Sequence, residues 1–197
     1  MRTTRSILAA ATGLLVGLVS CRHAAPSAAP ATGPAPVTRV LRLDQLYILE
    51  MDGPAASDTT VTFATGTMRR VILRHGAPDN TPFVELAFPA AAFAAPGAPE
   101  SVTVSIHPRP GVYGVDLTSS LPPGPGATVR FSYPVHFAAP LAALRRYGDA
   151  AGVERALSVG VELDNDRWGL LASDRPALDN LQAQLRGAGS YLVVAPR

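Results

Sequence analysis

The segment TVRFSYPVHF, residues 128–137, decides the fold class, because apolar and polar side chains alternate along its whole length. A period of two is typical of a β-strand with one face in a core and the other in solvent. The segment therefore predicts one continuous strand whose inward side chains share a core, with Arg130 outside. The predicted inward residues are Val129, Phe131, Tyr133, Val135 and Phe137.

The same alternation recurs on both sides of this segment. Turn residues separate the apolar stretches, as in GAPDN at 76–80 and PPGPG at 122–126. Many short strands with such punctuation predict an all-β fold, an antiparallel β-sandwich of the immunoglobulin-like kind. The other predicted strands cover residues 40–49, 60–63, 71–73, 84–88, 102–107, 113–118, 157–163, 168–172 and 191–195.

Two segments fit more than one structure. Residues 140–147, PLAALRRY, fit a helical turn or a connecting strand. In residues 177–186, ALDNLQAQLR, the leucines have helical spacing, yet Leu181, Ala183 and Leu185 also alternate with polar residues as in a strand. Periodicity alone does not choose between the two structures in either segment.

The N-terminus has the pattern of a secretory signal. Arg2 and Arg5 precede an apolar run at residues 7–19, which is shorter than the roughly 20 residues of a membrane-spanning helix. The run ends in Leu18-Val19-Ser20-Cys21, which resembles the lipobox of bacterial lipoproteins. The resemblance implies cleavage after residue 20, a diacylglyceryl group on the Cys21 thiol and an acylated new amino terminus. The alternative is an ordinary signal peptide with an incidental cysteine.

Several expectations follow from a lipidated Cys21. It is the chain's only cysteine, so the mature chain would have no thiol for a disulfide, a metal site or a nucleophile. Arg22, rather than Asp, follows it, and in proteobacterial lipoproteins this favours the outer membrane over the inner one. We expect a lipid-anchored protein of the cell envelope, with residues 1–20 as signal peptide, residues 21–37 as a disordered Ala/Pro-rich linker and residues 38–197 as the β-sandwich domain.

The charge balance argues against a nucleic-acid partner. The 17 basic residues are all arginine, and removal of Arg2 and Arg5 leaves 17 − 2 = 15 basic residues against 15 acidic ones. Nucleic-acid binding requires a dense basic face, and the remaining arginines form only short pairs such as Arg69-Arg70. The expected partners are the membrane, through the lipid, and a protein of the envelope.

From about residue 83 onward, a series of short motifs carries a family resemblance. In chain order they are LAFPAAAF at 86–93, VTV at 102–104, VRFSYP at 129–134, LRRY at 144–147, WGLL at 168–171 and YLVVA at 191–195. Their order resembles the β-sandwich domain named after zonula occludens and uncoordinated netrin-receptor proteins, and its immunoglobulin-like bacterial relatives. The resemblance implies an interaction or autoprocessing scaffold without shared catalytic residues. It also implies that residues 180–186 form a strand, whereas residues 148–155 form a longer connection than the family has.

Histidines are the first candidates for chemistry. His75, His107 and His136 lie in the domain, and alternation places His107 and His136 on the outward faces of their strands. If those strands were neighbours, the two imidazoles would be candidate zinc ligands. Neither has a carboxylate at local ligand spacing, so we expect solvent-facing histidines and no metal or cofactor.

The remaining candidates have structural explanations. Asp164-Asn165-Asp166 with Glu162 offers oxygen ligands for calcium, but a tight hairpin turn accounts for these residues as well. Ser–Asp neighbours suggest turns and caps, since no nucleophile elbow is present, and Trp168 is expected in a core or interface. These Ser–Asp neighbours are Ser119 with Asp116 and Ser173 with Asp174. We therefore expect no catalytic, cofactor-binding or metal-ligating residue, and lipid attachment at Cys21.

Three functions are compatible with this sequence. The first is a non-enzymatic binding or assembly module, anchored by lipid in the cell envelope. The second is a lipocalin-like carrier of an apolar ligand, which requires an enclosed cavity. The third is a small metal-dependent hydrolase that uses His107 and His136, which requires these residues to meet beside a carboxylate.

Overall fold

The computed structural model describes residues 35–133, 136–164 and 166–197. Within these ranges the chain forms short β-strands, and α1 (Leu141–Tyr147) and α2 (Ala150–Ala156) interrupt them late in the sequence. The strands are β1 (Val37–Arg42), β2 (Leu46–Ile48), β3 (Glu50–Met51), β4 (Thr59–Ala64), β5 (Arg69–Arg74), β6 (Pro82–Phe88), β7 (Ser101–Pro108), β8 (Gly114–Ser119), β9 (Thr128–Ser132), β10 (Phe137–Ala138), β11 (Ser158–Asp164), β12 (Arg167–Leu171), β13 (Ser173–Asp174), β14 (Asn180–Gln184) and β15 (Gly189–Pro196).

Two larger antiparallel sheets pack as a sandwich. The large sheet has the order β1-β12-β11-β15-β8-β7-β4, and β2 also pairs with β15. The small sheet has the order β13-β14-β9-β6-β5, and β3 pairs with β10 in a separate ribbon. The predicted class, an all-β antiparallel sandwich, is confirmed.

Apolar side chains from both sheets form the main core. Phe131 of the small sheet is fully buried and lies against Phe83, with ring centroids 6.2 Å apart. Phe83 in turn packs on Tyr113 at 5.7 Å. Edge-on and tilted contacts of this kind fill the interior with aromatic rings.

A second apolar cluster, here called the outer cluster, lies on the opposite face of the large sheet. Tyr191, Val193 and Ala195 of β15 enter the main core, so alternation turns Leu192 and Val194 the other way. The outer cluster consists of Leu46, Trp168, Leu170, Leu192 and Val194, covered by Leu41, Leu43, Ile48 and Val112. β1 pairs with one edge of this region and β2 with β15 on the other side, so the β1–β2 segment covers the cluster.

The prediction of one continuous strand at residues 128–137 is wrong. β9 ends at Ser132, and Phe137 lies in β10, which pairs with β3 rather than with the small sheet. A proline at residue 134 explains a break here, because it has no N–H to donate to a β-ladder. Phe131 and two other predicted inward residues, Val129 and Tyr133, are buried as expected, whereas Phe137 is only partly buried.

Other predicted elements have mixed outcomes. Residues 140–147 contain a helix, α1, and the strand expected near residues 180–186 is confirmed as β14. The predicted long strand at 40–49 is wrong, because a 3-10 turn at Leu43–Gln45 divides it into β1 and β2. The unexplained stretch at 148–155 contains most of α2.

The β-sandwich includes residues that precede position 38. Ala35 is buried, and its carbonyl accepts a hydrogen bond from Arg186 at 2.7 Å. β1 starts at Val37, where it pairs with β12. The signal segment, the lipobox and Cys21, most of the linker, and Val135 of the predicted core lie outside the described residues. No helix in the described ranges has the length and apolar character needed to cross a membrane.

Candidate functional site

The structure does not bring His107 and His136 together, so the condition for a zinc pair, that their strands are neighbours, is not met. His107 is exposed on β7, where its Nδ1 faces Asp58 Oδ2 at 2.9 Å. His136 lies between β9 and β10 and contacts Asp79 and His75 instead. β7 and β9 belong to different sheets, and this separates the two histidines.

A different set, here called the histidine cluster, consists of His75, Asp79 and His136. Nε2 of His136 bonds the Asp79 carboxylate, and Nδ1 faces the Asp52 carbonyl oxygen at 2.8 Å. The His75 ring lies beside it, with centroids 4.6 Å apart. His75 is almost fully buried, and only 15% of the His136 side chain and 19% of the Asp79 side chain are exposed. The expectation that His136 faces solvent is therefore wrong.

Three loops meet at the histidine cluster. Asp52 follows β3, Asp79 lies in the β5–β6 turn, and His136 follows β9. Gly53 has no side chain, and a Cβ at this position would clash with the His136 ring. The glycine thus permits the close approach of the first loop to the third.

Hydrogen bonds to the backbone tie the same loops together. His75 Nδ1 donates to the Pro54 carbonyl at 3.3 Å, and the Gly76 amide donates to the same oxygen at 3.3 Å. The Thr81 hydroxyl donates to Asp79 at 2.9 Å, which orients the carboxylate toward His136. Each loop is therefore bonded to at least one other loop.

The environment shifts the ionisation of two members of the cluster. The pKa of Asp79 is lowered, chiefly because His136 donates a hydrogen bond to the carboxylate, and Thr81 adds to the effect. Burial lowers the pKa of His75, and the neighbouring His136 acts in the same direction. Burial has the opposite effect on Tyr113, whose ring centroid is 6.3 Å from that of His75: it raises the pKa of the phenol. Around neutral pH the cluster thus favours an ionised Asp79 and an uncharged His75.

The bonding pattern indicates what the cluster can do chemically. Both nitrogens of His136 face oxygen atoms, those of the Asp52 carbonyl and the Asp79 carboxylate. Those contacts leave no ring nitrogen free for a metal ion. In residues 35–133, 136–164 and 166–197, no group of three His, Cys, Asp or Glu side chains is placed to hold a metal ion. The geometry is that of a connection between loops, two of whose members, Asp79 and His75, have lowered pKa values.

The other predicted candidates lie apart from the histidine cluster. Asp164 holds Arg167 in a two-pronged contact at 2.7 Å, across the start of the β11–β12 hairpin. The strands beside this turn confirm the hairpin, whereas Asn165 lies outside the described residues. Trp168 is buried as expected, but in the outer cluster. Glu162 is exposed on β11.

The Ser–Asp neighbours have separate partners. Ser173 Oγ accepts the Val159 amide at 2.9 Å and donates to the Leu171 carbonyl, so it bridges β11 and the end of β12. Asp116 instead accepts the Ser190 hydroxyl at 2.6 Å. The Ser119 hydroxyl is buried and has no hydrogen-bond partner among the described residues. None of these contacts joins a serine to a histidine.

The sequence carried only part of the signal for the histidine cluster. His136 and Asp79 are 57 residues apart, so no local spacing connects them. The Gly53 next to Asp52 and the turn residues at 76–80 indicate close backbone approach and a tight loop, respectively. They do not reveal that the loops share a contact.

Grooves indent the surface of the sandwich rather than its centre. One, of 540 Å³, lies beside Tyr47 and Arg197, and the Arg197 guanidinium is 5.1 Å from the Tyr47 ring centroid. Another, of 410 Å³, is lined by the Ala/Pro-rich segments 91–99 and 121–125. The fully buried aromatic side chains occupy the space between the sheets.

We expect Asp79→Asn to lower the urea midpoint of unfolding at pH 7. The pKa of Asp79 is lower in the folded protein than in the unfolded chain. Its ionised carboxylate therefore stabilises the fold at every pH above its pKa in the unfolded chain. This contribution disappears as the pH falls through the pKa of Asp79 in the folded protein, and at such low pH the variant should match the wild type. Asp58→Asn, which affects the exposed His107 contact, is the matched control and should leave the midpoint unchanged both at pH 7 and at low pH.

Comparisons with protein-family models, with curated proteins and with solved structures found no match to this chain.

Proposed function

We propose that this chain is a lipid-anchored protein of the cell envelope, whose β-sandwich serves as a non-enzymatic binding or assembly module. The observation that carries the proposal is a sandwich filled by its own side chains, in a chain that begins with a lipobox-like signal. Phe83, Phe131 and Tyr113 occupy the interior, so interaction with other molecules falls to the outer faces and loops. The anchor would hold the module at the membrane, and the residue after Cys21 favours the outer membrane.

The filled interior favours this function over a lipocalin-like carrier. A carrier encloses its apolar ligand between strands, and such sites bury most of the ligand surface. Here the large sheet has β1 and β4 as its outermost strands, rather than a closed ring. A carrier would release a stoichiometric apolar molecule on solvent extraction, and we expect none.

The separation of His107 from His136 also favours a binding module over a metal-dependent hydrolase. Each histidine already contacts its own carboxylate, Asp58 and Asp79 respectively. Elemental analysis of the purified protein distinguishes the two functions. Stoichiometric zinc that is lost in both His136→Ala and His107→Ala would replace the binding module by a metalloprotein.

We expect Cys21→Ser to abolish membrane association. The thiol is the only position in the chain that can take the thioether-linked lipid, and several acyl chains are needed for a stable anchor. Detergent phase partitioning should move the variant to the aqueous phase, and intact mass should show the loss of the acyl groups. Ser20→Ala keeps a small residue before the cysteine and should behave like the wild type. A Cys21→Ser protein with unchanged partitioning and no lipid mass difference would contradict the anchor.

A further inference from the structure

We propose that the histidine cluster is an acid-sensitive latch, which holds three loops of the sandwich together near neutral pH and releases them when the protein is acidified. The proposal rests on the contacts of His75, Asp79 and His136 and does not depend on the lipid anchor. The latch would make the surface that the domain exposes near the β5–β6 turn depend on pH.

The first half of the latch is the ionic contact. His136 connects the loop after β3, through the Asp52 carbonyl, to the β5–β6 turn, through the Asp79 carboxylate. The Asp52 amide also donates to the His136 carbonyl at 3.2 Å. Protonation of Asp79 would remove the acceptor charge that holds the β5–β6 turn to this ring.

The second half is the buried imidazole. His75 lies within 4.6 Å of His136, measured between ring centroids, and donates one hydrogen bond to the Pro54 carbonyl. A proton added to His75 would place a buried positive charge beside the His136 ring, whose influence already disfavours that charge. Such a buried charge is costly.

The groups that face the cluster from neighbouring elements do not offset this cost. Tyr113, just before β8, presents a neutral phenol whose pKa is raised by burial. Asp52 contributes its backbone oxygen. The guanidinium of Arg74, at the end of β5, donates to the Asn80 carbonyl at 3.0 Å and adds positive charge at this turn. A groove of 350 Å³ lined by Ser57, Thr59 and His75 gives solvent access to this region.

The sign of the effect follows from the lowered pKa of His75. The unfolded or locally opened chain takes up a proton below about pH 6.5, whereas the closed latch resists it. The closed state is therefore favoured above about pH 6.5 and loses stability as the pH falls toward the folded value. Asp79 protonation continues the loss at still lower pH, because its folded pKa is also lowered.

Release would change the surface of the domain. His75 packs edge-on against Phe83, with ring centroids 5.3 Å apart, and lies near Tyr113. These rings belong to the aromatic layer of the main core. Opening of the β5–β6 turn would uncover one end of this layer, and exposed aromatic surface is typical of protein-binding sites.

Hydrogen–deuterium exchange on the detergent-solubilised full-length protein tests the latch. Peptides from residues 52–57 and 75–81 are compared with a peptide from β15, at pH 7.5 and pH 5.0, with intrinsic exchange rates corrected at each pH. We expect protection in the first two peptides to fall at least tenfold on acidification while β15 stays protected. Equal protection at both pH values, or an equal loss in β15, would overturn the proposal.

Matched variants identify the titrating group. His75→Phe retains a ring against Phe83 without a titratable nitrogen, so its two loop peptides should change less than twofold between the two pH values. His107→Phe removes the exposed histidine and should keep the full acid response. Asp79→Asn should reduce loop protection already at pH 7.5, which gives a second test if the His75 variant is poorly folded. An acid response that survives in His75→Phe, or that disappears in His107→Phe, would contradict the latch, as would unchanged protection in Asp79→Asn.

Discussion

Phe131→Ala should leave the domain unfolded or insoluble at 37 °C. The side chain is fully buried on the inner face of the small sheet and contacts Phe83 of the neighbouring strand, β6. Removal of a buried phenylalanine ring costs about 3–5 kcal/mol, because it loses transfer free energy and leaves a cavity. Since a domain is stable by only about 5–15 kcal/mol, this is a large part of its stability. Urea unfolding followed by circular dichroism measures the loss.

Arg130→Ala is the adjacent control, one residue away on the same strand. Its guanidinium lies on the outer face of the small sheet and contacts Glu85, which also holds Arg70. Loss of this ion pair should cost roughly 1 kcal/mol or less, because Glu85 retains its second arginine. Equally small effects of Phe131→Ala and Arg130→Ala would contradict the assignment of inward and outward faces on β9.

Trp168→Ala should destabilise the protein by about 3–5 kcal/mol as well, although this residue lies outside the main core. The indole is buried in the outer cluster, and Gly160 approaches it closely from the neighbouring strand. Without the indole, the β1–β2 segment would lose much of the apolar surface that it covers. Trp168→Phe should retain part of that packing and lose less stability.

Val40→Ala is the matched control for this second prediction. Val40 lies on β1, opposite Gly169 of β12, and 48% of the residue is exposed. Its truncation should change the free energy of unfolding by less than about 0.5 kcal/mol. A Trp168→Ala protein as stable as Val40→Ala would mean that the outer cluster contributes little to the fold.

The sequence predicted those parts of the fold that depend on local alternation. β7 and β11 were recognisable because each alternates between apolar and polar residues along one continuous stretch. The run of apolar residues at 191–195 also has a structural explanation, since β15 is buried on both faces. In such segments the face of each residue is set by the strand period alone.

The features that the sequence missed depend on position or on distant contacts. β9 stops at Ser132, although apolar and polar residues continue to alternate up to residue 137. A pattern of polarity does not show that a proline lacks the N–H that a β-ladder needs. α2 has few apolar residues to show a helical period, and it begins where Asp149 accepts the Gly152 amide at 2.6 Å. His136 and Asp79 are 57 residues apart, and the pairing of β6 with β5 and β9 brings their loops together. No local spacing could have reported that contact.

The covering of the outer cluster by the β1–β2 segment has a kinetic consequence. The Thr38 hydroxyl bonds the Leu170 carbonyl, 132 residues further along the chain, and Leu46 pairs with Pro196. Loop-closure entropy must be overcome before such distant partners gain any contact, so chains dominated by them fold slowly. Until these pairs form, the apolar residues of β12 and β15 remain uncovered. We expect refolding on the scale of seconds and aggregation that rises with protein concentration during that interval.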